Sequence, residues 1–168
     1  MPHAPQAGSA RTPTFSRRAA LKRLGDGATP LTYALLRAVL GVTLLTHGLP
    51  KLLGTAHGSM ADPMAGSINL IENVMHLPAA PLLAWLVTLL ESLGGLLLAL
   101  GLGTRAIAAM FVVEMLGIAY ALGPTWPWID RGIEYPVILL ALCVHLTMAG
   151  GGHYALDRTL QARTAARA

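Results

Sequence analysis

The sequence predicts an all-α fold: a transmembrane bundle of four helices. Three observations carry this. The chain is 54% hydrophobic and only 12% charged, whereas a soluble domain carries about 25% charged residues. Its apolar runs approach the ~20 residues needed to cross a bilayer core about 30 Å thick. Between the runs lie short stretches rich in Gly, Pro and polar residues, which punctuate helices. A length of 168 residues suits one domain. The net charge of +4 gathers near the ends. Basic ends beside apolar spans report topology, so the excess does not argue for nucleic-acid binding. The single cysteine, Cys143, excludes an internal disulfide and any CxxC redox pair. In its apolar run it reads as a small packing residue.

Residues 1–30 are rich in Pro, Ala and Gly and carry Arg11, Arg17, Arg18, Lys22 and Arg23. They read as a disordered basic tail, held near lipid headgroups on the cytoplasmic side. Ser16 to Lys22 has the look of a twin-arginine export signal. Ala20 stands where a bulky apolar residue is usual, and no A-x-A site closes the following segment, so a retained anchor is expected. Leu31 to Leu53 is the first span. Arg37, Gly41, Gly48 and Lys51 fall on one stripe of it, with His47 at the border.

Gly54 to Ala80 is polar. Within it, Ile68, Ile71, Val74 and Met75 recur at a helical period, which predicts a short interfacial helix between spans one and two. His57 and His76 have no HxxxH or HxH spacing, and no metal site is expected. The second span starts at Pro81 and ends at Gly101-Leu102-Gly103-Thr104. Glu91 lies near its middle and shares a face with Gly94, Gly95 and Gly101. A charge there costs at least ~2.5 kcal/mol if it meets lipid, so this face points into the bundle. Gly41, Gly48, Gly94, Gly95 and Gly101 are the expected helix-packing glycines, because small residues let helices approach closely.

Arg105 begins the third span, which runs to about Leu122 with Glu114 inside it. So short a connection makes an antiparallel hairpin. Gly123 to Gly132 contains Pro124, Trp126, Pro127 and Trp128, a loop at the water boundary. The fourth span runs from about Ile133 to Ala149, with Glu134 and His145 on one face. The membrane domain is expected over 31–157, followed by a short cytoplasmic tail over 158–168. The positive-inside rule puts both termini in the cytoplasm of a bacterial inner membrane.

These charges define an expected intramembrane polar cavity: Arg37, His47, Lys51, Glu91, Glu114, Glu134 and His145. A rise of 1.5 Å per residue places Arg37 and His145 in the inner half. Glu91 and Glu114 fall near the midplane, and His47, Lys51 and Glu134 in the outer half. Pairing of Arg37 with Glu91 or Glu114, and of Lys51 with Glu134, satisfies the demand that buried charges be paired. A purely structural polar core is the competing reading.

The order and spacing of these residues resemble the DoxX family. The similar pieces are Arg37-x3-Gly41-x6-Gly48-x2-Lys51, Glu91-x2-Gly94-Gly95 with Gly101-x3-Arg105-x2-Ala108, Gly132-x-Glu134, and Gly150-x-Gly152-x-Tyr154-x2-Asp157. They extend over about Leu31 to Asp157. The resemblance implies a small four-helix membrane protein, named for a subunit type of a thiosulfate:quinone oxidoreductase. It implies a subunit of a quinone-linked redox complex, with a redox enzyme as partner, quinone as ligand and no covalently bound cofactor. Two other readings remain open: a non-catalytic scaffold or assembly factor, and a small-solute or proton pathway. No CxxC, bis-His pair or GxGxxG argues for a cofactor of its own. The catalytic residues and the oligomeric state are not readable from these residues.

Overall fold

A computed structural model describes the backbone of residues 17–166 and the side chains of residues 25–166. Among these residues the structure is helical and contains no strand, only an isolated bridge between His57 and Met60. Helix α1 spans Arg17–Leu53. It therefore starts inside the stretch expected to be a disordered tail. Ala19 to Leu24 are strong helix formers, and extending a helix that already exists needs no new nucleus. The Thr29 and Thr32 hydroxyls donate back to the Gly25 and Ala28 carbonyls on the same helix. Residues 1–16, and the side chains of the twin-arginine-like stretch, lie outside the described residues.

After α1 the chain turns into α2 (Pro63–Asn69), which Asp62 caps by accepting the Ala65 N–H at 2.9 Å. A wide π-helical turn, Leu70–Val74, extends it. The helix thus begins five residues before the expected Ile68 (63 against 68). Its apolar residues Met64, Ile68, Ile71 and Met75 pack on Ala80, Leu83 and Ala84 of the next helix.

The second span is α3 (Ala80–Leu89), a π turn (Leu90–Gly94) and α4 (Gly95–Leu100). Next come α5 (Thr104–Leu122) and α6 (Glu134–Ala149), then the terminal α7 (Leu156–Ala165). Three stretches, Gly25–Leu53, Ala80–Leu100 and Thr104–Leu122, are long and apolar enough to cross a membrane, and α6 is a shorter apolar helix. Leu35, Val39, Leu86, Leu93, Val113 and Ile138 face outward. An apolar outer surface of that kind suits lipid rather than water.

The core consists of Leu40, Leu44, Leu98, Ile107, Phe111, Met115, Cys143 and Leu146 among others. Helix α1 packs on the second span, and α5 packs on α6. Glycine controls the first of these contacts. A Cβ on Gly41 would sit 2.4 Å from Ala99 N, and one on Gly95 would sit 2.7 Å from Leu45 N. The two backbones touch, so no larger residue fits between them.

Candidate functional site

The buried charges separate into two groups at different depths. The first is a polar cluster between α1, the second span and α5. Lys51 Nζ lies 2.6 Å from Glu91 Oε2, the one ion pair among the described residues. The Glu114 carboxyl lies against that of Glu91 and close to Lys51. Cys143 of α6 is fully buried nearby, within range of the Glu114 charge. Glu91 is 5% exposed and Glu114 9%.

Local structure accompanies the convergence. Glu91 and Ser92 both lie buried in the π turn Leu90–Gly94. Such wide turns recur at functional sites. Gly48 lets α1 close over them, since a Cβ there would lie 2.5 Å from Ser92 N and 2.6 Å from Glu91 Cβ. The expected Lys51–Glu134 pair does not form. Glu134 instead accepts the Trp128 N–H at 3.1 Å and holds the tryptophan loop. It is the first residue of α6, so its side chain reaches back to the loop and not down into the bundle.

The second group lies at the opposite end. Arg37 does not pair with Glu91 or Glu114. Its guanidinium donates to the Gly151 carbonyl at 2.7 Å and the Tyr154 carbonyl at 3.2 Å. Tyr33, one turn earlier, donates its hydroxyl to the Gly150 carbonyl. Gly101 ends α4 with a left-handed φ of +76°, and a Cβ there would collide with the Arg37 guanidinium. Its role is thus to end the helix and seat Arg37, not to pack helix against helix. Gly94, also expected to pack helices, meets Leu90 of its own turn and, farther off, Ile107 and Phe111. Asp157 accepts the N–H groups of Gly103 (2.9 Å) and Thr104 (3.2 Å), the start of α5. The segment from Gly150 to Asp157 is therefore a strap across the α4–α5 turn, buckled by Arg37. Gly152 takes part because its missing side chain leaves room for the Tyr33 ring.

His145 does not enter the polar cluster. It is exposed on α6, its ring edge-on to Tyr33 at 5.7 Å. His47 is half-buried one turn from Lys51. Its Nδ1 bonds the Thr43 carbonyl at 2.8 Å, and its ring neighbours those of His57 (5.1 Å) and Tyr135 (6.4 Å). No group of three metal-ligating side chains occurs among the described residues. Beside this histidine pair an apolar groove of about 400 Å³ runs between α1 and α6, lined by Leu36, Val39, Leu40, Thr43, Tyr135 and Leu139.

Sequence reasoning missed Tyr33 and Asp157 as partners of the strap, and Ser92 as a buried neighbour of Glu91. The signal for the strap was present: three glycines followed by an aspartate, matched by a glycine turn between spans. The fold and this site describe a helical membrane protein with a buried acid–base cluster and a clasped end. The DoxX family model matches residues 32–124, and the chain belongs to the DoxX family. It is 28% identical over 123 residues to a Bacillus subtilis (strain 168) protein named "Putative oxidoreductase CatD", covering 73% of this chain and 82% of that one. No solved structure matches it.

Proposed function

We propose that this DoxX protein is a four-span subunit of a quinone-linked redox complex in a bacterial cytoplasmic membrane, with both termini in the cytoplasm. The carrying observation is the buried Lys51–Glu91–Glu114 cluster. Ionisable groups at membrane depth are expensive and mark pathways or sites. Reduction of a quinone to a quinol takes two electrons and two protons. A redox partner supplies the electrons, and positioned carboxyl and ammonium groups relay the protons. The groove between α1 and α6 suits an isoprenoid tail, and its Tyr135 end adjoins His47. The oxidoreductase name of the Bacillus relative supports the class. Arg105, Arg158 and Arg163 gather at the strap end, which favours that end as the cytoplasmic one.

The test is quinone binding by detergent-purified protein. Quinone co-purifies, or a short-chain analogue binds. Protein that neither carries nor binds quinone refutes the reading. One observation favours a scaffold instead: neither Glu91 nor Glu114 lines the groove. A partner enzyme captured with a Glu91→Gln protein at unchanged yield and unchanged activity would support that alternative.

A further inference from the structure

We infer that Glu91 and Glu114 hold one exchangeable proton between them, with Lys51 balancing the remaining negative charge. The cluster is then a proton-loading site inside the bundle, whether or not a quinone binds.

The argument is a count of charges and donors. Two carboxyl groups face one ammonium. Lys51 is committed to Glu91 at 2.6 Å. Both Glu114 oxygens are buried and have no donor among the described residues. The Glu114 carboxyl is within hydrogen-bonding reach of Glu91, but two carboxylates have no proton to offer each other. A proton placed between them supplies the missing donor and cancels the excess charge. Among the described residues nothing else nearby does so. On the second span the Ser92 hydroxyl is buried and has no hydrogen-bond partner among the described residues. From α6, Cys143 presents a thiol, a weak donor. On α1, His47 is turned to Thr43, and its ring keeps company with His57 and Tyr135. Arg37 is held by the strap. An unpaired buried carboxylate is strongly disfavoured, and like charges sharing a site do not both ionise.

Infrared spectroscopy of the full-length protein in lipid nanodiscs at neutral pH tests this. A protonated carboxylic acid has a carbonyl band separate from carboxylate and amide bands, and the band shifts in D2O. The wild type shows one such group. Glu114→Gln removes it. Glu91→Gln removes it too, because Lys51 then neutralises the single remaining carboxylate. Lys51→Met doubles it, because both acids then retain protons. Absence of the band in the wild type overturns the inference. So does a band that survives in both Glu→Gln variants, or one that does not shift in D2O. If Lys51→Met fails to accumulate, the wild type and the two Gln variants decide the matter alone. Quinone binding is a separate measurement, and its failure leaves this prediction standing.

Discussion

Removing Lys51 should cost far more than an ordinary surface charge. At 2.6 Å and an effective dielectric of about 20, the attraction to Glu91 is about 6 kcal/mol. Desolvation of the two ions, several kcal/mol each, offsets most of it. The net worth of the pair is therefore small, but the cost of splitting it is not. Lys51→Ala leaves two buried carboxyls without a cation and should destabilise the protein by roughly 3–5 kcal/mol. Glu91→Ala should also be costly, but Glu114 remains close to Lys51 and can partly replace the lost partner. The double variant should be less damaging than the sum, by an interaction energy of ~2–3 kcal/mol, the upper part of the range for residues in contact. Unfolding in mixed micelles with increasing dodecyl sulfate, followed by far-ultraviolet circular dichroism, measures the four corners of the cycle. Additivity within about 0.5 kcal/mol would refute the coupling.

Three other predictions concern the packing and the strap. Gly41→Ala pushes a methyl to within 2.8 Å of three backbone atoms of Gly95 and Ala99, and should cost ~1–3 kcal/mol by overpacking, read in the same unfolding assay. Arg37→Ala removes two charge-assisted hydrogen bonds, each worth roughly 1.5–3 kcal/mol. It should release the strap, so that trypsin cuts at Arg158 and Arg163 much faster while the spans stay intact; an unchanged cleavage rate would refute the buckle. Asp157→Ala removes the carboxylate that accepts the Gly103 and Thr104 N–H groups at the start of α5, a hydrogen bond to a charged group being worth roughly 1.5–3 kcal/mol, and should speed amide exchange at Gly103 and Thr104 in hydrogen-exchange mass spectrometry, with no change at Glu91.

The sequence by itself determined where the apolar helices run, that Glu91 and Glu114 point inward, and that Gly41, Gly48 and Gly95 stand at close helix contacts. These follow from local quantities: apolar run length, the 3.6-residue period, and the high cost of a charge in lipid. Tertiary structure decided which charge meets which. Axial rise places Arg37 and Lys51 by depth, but it does not say what stands opposite. Arg37 finds carbonyls 114 and 117 residues away in sequence, and backbone carbonyls leave no mark in a list of side chains. Lys51 finds Glu91 because Gly48 lets α1 approach a π turn, and period counting assumes a uniform helix. Glu134, first residue of α6, was free to turn back to the Trp128 amide. The partner of a buried charge is settled by long-range packing, because a charge takes the nearest group that compensates its desolvation, and only the assembled bundle sets which group is nearest.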